Sequence, residues 1–153
     1  MNLLRSARAA GPRLAVLLLC GAALGAGPAA AQQTIELPKP QTAGGKPLFD
    51  TLKARQSGRE FAADKLPLPV VSNLLWAAWG VNRADGRRTA PSASNRQEIE
   101  VYLAMADGLY LYEAAPHRLR LVLKEDLRAK AGTQPFVADA PLNLIYVADY
   151  SKM

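Results

Sequence analysis

Charge and hydrogen-bonding capacity are concentrated in two short runs of this chain, Arg55-Gln56-Ser57-Gly58-Arg59 and, further along, Pro91-Ser92-Ala93-Ser94-Asn95-Arg96-Gln97. In the first, two guanidinium groups four positions apart can each grip phosphate oxygens through paired hydrogen bonds. Ser57 adds a neutral donor, Gln56 an amide able to pair with a heterocycle edge, and Gly58 allows a ligand close to the backbone. The second run offers small hydroxyls, amides and backbone donors of the kind that wrap a polyol chain or a pyrimidine ring. Each run also has a plain reading. Arg55 and Arg59 suit a solvated helix terminus, and Ser94 with Gln97 matches the spacing of a capping box. Singly, the plain readings prevail. Taken together and in order, the runs describe a site for an anionic, amide-rich ligand.

The elements that must position these runs follow from periodicity. Residues 32–46, with Pro38, Pro40, Gly44 and Gly45, read as an extended arm. Pro47 suits a first helical turn, and Leu48, Phe49, Leu52 and Ala54 give an apolar face over residues 47–56, with Gly58 as the stop. The Arg55 run therefore belongs at a helix end. A second helix is expected from Pro69 to Trp79, its surface marked by Val70, Leu74, Leu75, Trp76 and Ala78, ended by Gly80. Trp76 and Trp79 fit its core better than a ligand-stacking pair. Residues 81–98 show no periodicity, and within them residues 82–88 supply turn formers and three arginines, the makings of a surface loop or a ligand-binding loop. Alternation then predicts strands over residues 99–105, 109–112 and 118–123, the first two joined by Asp107-Gly108. A short helix over 125–130 and an apolar strand over 142–148 follow. Helix, helix, strands, helix, strand is an α+β order. His117, with no ligand-type neighbour at metal spacing, reads as a structural polar residue.

Residues 1–31 stand apart. Arg5, Arg8 and Arg13 precede the apolar run 14–26, and Ala29-Ala30-Ala31 follows. That order is a secretory signal with cleavage after Ala31; the apolar run falls short of the roughly 20 residues that span a bilayer. Cys20, the only cysteine, lies within it, so the mature chain has no thiol for a disulfide or a metal. Loss of three arginines and no acid lowers the formal charge from +6 to +3. The basic balance is then partly an export signal and no sign of a nucleic-acid partner. The expectation is an exported, periplasmic or secreted protein without stable membrane association, with residues 47–153 as its folded domain.

The two runs, in this order and context, resemble the nitroreductase family. That family carries Arg-X-Ser-X-Arg/Lys after its first helix and Pro-Ser-Ser/Ala-X-Asn-X-Gln before its first long strand. Leu74-Leu75-Trp76-Ala77-Ala78-Trp79-Gly80-Val81-Asn82 is similar to the helix preceding the second motif in the branch that includes thiazoline and oxazoline peptide oxidases. The resemblance covers residues 46–149. It implies an α+β, nitroreductase-like sheet flanked by helices and an intertwined homodimer with FMN at the subunit interface. Arg55, Gln56, Ser57 and Arg59 would hold the flavin from one subunit; Pro91, Ser92, Ser94, Asn95 and Gln97 would contact it from the other. Hydride would pass from NAD(P)H through the flavin to a nitroaromatic, quinone or similar small-molecule acceptor, and the cofactor carries that chemistry. No catalytic acid, base or nucleophile is implied.

The chain departs from the family at Gln56, where a basic residue is common, and at Arg96 and Glu98, where proline or an aromatic is frequent. The family also continues past the strand at 142–148 with a helix, a flavin loop and further phosphate ligands, so the expectation is a domain incomplete at the C-terminus. Arg5 and Arg8 are not a twin-arginine pair. Either the apo-chain captures flavin after export or the holoenzyme does not form. The alternative function is a secreted binding or structural module that keeps the fold without the chemistry.

Overall fold

A computed structural model describes residues 32–153; the expected signal segment, residues 1–31, lies outside them. The described chain contains strands β1 (Thr34–Glu36), β2 (Ile99–Met105), β3 (Gly108–Glu113), β4 (Arg118–Leu123) and β5 (Leu142–Ala148). Helices α1 (Leu48–Ala54), α2 (Leu68–Trp79) and α3 (Phe136–Asp139) complete the main elements. The strands form one antiparallel sheet in the order β1-β4-β3-β2-β5. The α+β expectation holds.

Alternation fixes the register. Leu103 pairs with Tyr110 and with Leu144 on its other side, while Tyr112 pairs with Leu119. All five therefore share one face. Against that face α2 turns Val71, Leu75 and Trp79, all buried, which join Val101, Leu103, Tyr110, Tyr112 and Leu119 in one apolar cluster. Fully burying a Leu or Val side chain stabilises by about 1.5–3 kcal/mol, so this cluster dominates the fold. Trp79 is core, as its helical spacing suggested. The buried stripe differs from the expected one: Val70 and Leu74 face solvent, and Val71 replaces them inside.

The β2–β3 connection is tighter than Asp107-Gly108 alone implies. Met105 pairs with Gly108, leaving Ala106 and Asp107 as the two loop residues. Gly108 opens the returning strand because β4 presses on it: a Cβ there would lie 2.8 Å from the Leu123 carbonyl oxygen. Asp107 receives Lys65 Nζ at 2.7 Å, so Lys65 is tied to the hairpin and not to neighbouring Asp64.

Three other expectations need correction. The arm is extended, but Thr34–Glu36 within it pairs with β4 as an edge strand; three residues are too few to show periodicity. The helix expected at 125–130 shrinks to one 3₁₀ turn, Arg128–Lys130. There Asp126 Oδ1 accepts from Arg128 N at 3.0 Å and starts the turn, while Gly132 and Pro135 follow too soon for a helix to propagate. Helix α1 forms where expected but buries none of its residues; Phe49 is 81% exposed and Leu48 67%. The apolar strand β5 pairs with β2 alone, and Tyr146 and Val147 remain exposed.

A polar chain fastens the arm. Ser72, wholly buried, donates its Oγ hydrogen to the Pro38 carbonyl at 2.6 Å and also lies 2.7 Å from His117 Nε2. A hydroxyl has one hydrogen, so Nε2 is the donor to Oγ. His117 Nδ1, 2.8 Å from the Tyr112 hydroxyl, then accepts from it. This order requires a neutral imidazole. Burial accordingly holds the His117 pKa below its ordinary 6.5, against an opposing pull from the Pro38 carbonyl. A lowered folded-state pKa means the contribution to stability is complete above 6.5 and is lost as pH falls through the folded-state value. His117 sits at φ 53°, a conformation asparagine tolerates. In urea titrations at pH 7 and pH 5, His117→Asn should therefore lose less stability on acidification than the unsubstituted protein; equal losses would contradict this tautomer.

Candidate functional site

Glycine sets where the loop begins. At Gly80 the chain leaves α2 so close to Trp76 that a Cβ would collide with that residue's backbone and ring. The next residues fold back: Val81 bridges Arg88, Asn82 N donates to Arg87 O at 3.1 Å, and Thr89 N donates to Gly80 O at 2.9 Å. The reversal runs through Gly86 at φ 79°, a value only glycine adopts without strain. Arg83, Arg87 and Arg88 are thereby displayed together.

From Ser92 the backbone coils through an irregular 3₁₀ turn, Ala93–Asn95. Ser94, Asn95 and Gln97 have φ of 52°, 55° and 51°. Left-handed non-glycine residues cost about 1–3 kcal/mol each and persist where surrounding structure holds them; asparagine is the more tolerant. The restraint here is Ser92, whose Oγ accepts from Gln97 N at 2.8 Å. The capping partner of Gln97 is thus Ser92 and not Ser94, which the spacing had suggested.

Gln97 faces the protein. Its Oε1 accepts from Arg88 Nε at 2.8 Å, and its Nε2 donates to the Gly86 carbonyl and to Asn95 Oδ1, each at 3.2 Å. One amide thus ties both halves of the loop. Arg88 also stands 5.8 Å from the centre of the Trp79 ring, within cation–π reach. Burial lowers the Arg88 pKa, with the nearby Tyr112 hydroxyl opposing; burial pushes Tyr112 itself up to about 12.

Around these groups opens a polar cleft of about 580 Å³, lined by Arg83, Arg87 and Arg88 together with Pro91, Ser92, Ser94 and Asn95. Its size falls within the roughly 300–1,000 Å³ usual for small-molecule sites. Two of its residues carry a polar atom closed to water without a partner among the described residues, Arg88 Nη1 and Thr89 Oγ1. Such groups are uncommon in folded proteins, and a third among the described residues, Glu98 Oε2, lies outside the cleft. A smaller hollow of about 300 Å³ lies by Lys65, Asp107 and Arg128. Those three charges are already paired, Lys65 with Asp107 and Arg128 with Asp126, so it offers little unspent chemistry.

The first run behaves otherwise. Helix α1 stops at Ala54, and Arg55 is extended, with φ −65° and ψ 122°. Arg55 and Arg59 therefore do not share a helix face, and their spacing of four carries no helical meaning. Residues 55–60 are exposed. The guanidinium of Arg59 stands 5.7 Å from the Phe136 ring centre, while Gln56 and Ser57 make no side-chain hydrogen bond among the described residues. No hydrogen bond or shared cavity joins this run to the second one there. Pro91, Ser92, Ser94 and Asn95 were expected from the sequence as ligand contacts, whereas the arginines that share their cleft were visible only as cations of a polar loop. Three cations between two turn-forming segments were visible, but their convergence depends on the Val81–Arg88 bridge.

The chain matches the family described as the nitroreductase family over residues 52–153, a span that contains both runs. A candidate nitroreductase of Methanocaldococcus jannaschii is 35% identical over 115 residues, covering 69% of this chain and 58% of that protein. A solved structure of a candidate nitroreductase from Ralstonia eutropha JMP134 superposes with a TM-score of 0.74 at 46% identity, covering 81% of this chain and 60% of that one. The chain thus spans about three fifths of the length of these relatives. The five-stranded sheet and its helices form a nitroreductase-like fold. Among the described residues, no helix is long and apolar enough to cross a membrane and no cluster of metal-ligating side chains occurs.

Removing the Gln97 side chain should release Arg88 Nε and the Gly86 carbonyl together. Hydrogen bonds to charged groups contribute about 1.5–3 kcal/mol, so Gln97→Ala is expected to destabilise by an amount in that range in chemical denaturation. A change indistinguishable from zero would remove Gln97 as the tie.

Proposed function

The chain belongs to the nitroreductase family, and on that premise we propose that it serves a flavin-dependent oxidoreductase whose FMN is held between the subunits of a homodimer. The observation that carries this reading is the cleft beside Ser92, Ser94 and Asn95, with its hydroxyls, amide and left-handed backbone held ready by Gln97. Those groups fit the ring and polyol of a flavin.

In this reading Arg55, Gln56, Ser57 and Arg59 form one wall, and Pro91, Ser92, Ser94, Asn95 and Gln97 form the other. Their separation within one chain agrees with walls contributed by different subunits. Exposed arginines supply phosphate contacts through charge-assisted hydrogen bonds. Ser92 and Gln97 hold the second wall in shape, leaving Ser94 and Asn95 exposed to meet the ligand. Bound FMN supplies hydride exchange between NAD(P)H and a nitroaromatic, quinone or similar acceptor. The protein's own part is binding and orientation, and no side chain is given a proton-transfer role.

Flavin affinity tests this directly. Titrating the chain with FMN should give saturable quenching of flavin fluorescence, and Arg59→Ala should weaken binding by about 1.5–3 kcal/mol, the worth of a hydrogen bond to a charged group. An unchanged affinity removes Arg59 from the site, and no binding at all refutes the cofactor.

Export belongs to the same proposal. The cationic, apolar and small-residue order of residues 1–31 supports a cleaved signal. N-terminal sequencing of the protein recovered from its native compartment should begin at Gln32; an intact Met1 would refute cleavage.

A further inference from the structure

The three arginines of the cleft are not used by the flavin reading. Each is fixed at Nε: Arg83 donates to Asn82 Oδ1 at 3.2 Å, Arg87 lies 3.3 Å from Asp85 Oδ2, and Arg88 donates to Gln97 Oε1 at 2.8 Å. Their Nη groups make no hydrogen bond among the described residues; Arg88 Nη1 is closed off, so the donors open to a ligand are Arg88 Nη2 and the Nη groups of Arg83 and Arg87. No carboxylate lines the cleft, and Asp85, which offsets one charge, pairs with Arg87 from outside it. Convergent guanidinium forks with unspent donors and an uncancelled positive field have the makings of an oxyanion site.

Which oxyanion follows from position. On the reading above, Ser94 and Asn95 meet the ring and polyol of FMN, while its phosphate goes to Arg55 and Arg59. With the flavin phosphate assigned to Arg55 and Arg59, the arginines that share a cleft with Ser94 and Asn95 are left to face a different molecule. The molecule that must lie against the ring is the one exchanging hydride with it. We propose that Arg83, Arg87 and Arg88 form an oxyanion subsite that selects co-substrates bearing a carboxylate or phosphate. Arg88, held by Gln97 and stacked near Trp79, is the fixed member. Arg83 and Arg87, exposed at the rim, complete the grip and strengthen encounter with anions. The inference rests on the flavin assignment, since neutral acceptors would gain nothing here.

Binding of 4-nitrobenzoate and its neutral isostere 4-nitrobenzamide to the full chain, with and without FMN, separates the two claims. NMR titration following the arginine Nε–Hε signals should show 4-nitrobenzoate binding at least tenfold more tightly than the amide. The double variant Arg83→Gln/Arg87→Gln, both at exposed positions and checked for an unchanged circular dichroism spectrum, should bring the two ligands to equal affinity. FMN and riboflavin affinities should each stay within twofold. Nicotinamide mononucleotide, titrated in parallel, distinguishes a phosphate-bearing donor from a carboxylate-bearing acceptor as the preferred source. Equal binding of benzoate and benzamide by the unsubstituted chain overturns the subsite. A variant that loses FMN but keeps riboflavin also overturns it, because the arginines would then hold the flavin phosphate. If FMN fails to bind while the arginine signals still respond to 4-nitrobenzoate, the flavin reading fails and the anion preference stands.

Discussion

Burial of one face of α2 on one face of the sheet is the constraint from which the rest follows. Val71, Leu75 and Trp79 contribute the helix side; Val101, Leu103, Tyr110, Tyr112 and Leu119 contribute the sheet side. Helix α1 buries nothing and β1 pairs over three residues, so neither can organise the chain. Once α2 lies on β2 and β3, its C-terminal end at Gly80 and the start of β2 at Ile99 are both fixed. The segment between them must close the distance without a core of its own. It does so with hydrogen bonds, and Gln97 supplies the central ones by holding Arg88, the Gly86 carbonyl and Asn95 at once.

That dependence explains why hydroxyls and amides accumulate there. A loop whose apolar anchors on the core are Val81 and Ala90 must be held elsewhere by polar groups satisfying one another. Some of that chemistry is therefore structural, and the residue type alone does not say which. Ser92 and Gln97 are engaged inward, whereas Ser94 and Asn95 are exposed. Left-handed backbone at Ser94 and Asn95 persists because the Ser92 hydroxyl closes the turn around them, and strain held in this way characterises segments shaped for a ligand.

The sequence was legible where one local rule decides the outcome. Alternation gave β2, β3 and β4, and Gly80 gave the end of α2, because period and stop residue act within a few positions. The family was legible through the two motifs. What escaped depends on distant partners. β1 exists because β4 offers an edge, and the Arg83–Arg88 display exists because Val81 and Arg88 bridge. Helix α1 shows the reverse case: amphipathic spacing was present, but spacing states only that a face is apolar and not that anything covers it. Arg55 to Arg59 lie at the end of that helix and in its exit loop, as expected, and beyond Ala54 their spacing of four has no helical meaning.

The two proposed walls also differ in how much order they hold by themselves. Ser92 to Gln97 are restrained by side-chain and backbone bonds, so a ligand meets them with little further loss of freedom. Arg55 to Glu60 are exposed and lie outside helix and strand, with the Arg55 N–Leu52 O hydrogen bond at 3.3 Å and the Arg59–Phe136 contact as their described restraints. Fixing a backbone residue costs about 1–2 kcal/mol, so ordering the Gln56-Ser57-Gly58 stretch offsets much of what two charge-assisted arginine contacts provide. Affinity for an anionic ligand then depends on whether another surface orders that stretch first. In an intertwined dimer the partner subunit is such a surface, and assembly and ligand binding become linked: whatever orders the first wall lowers the cost of closing it on the second.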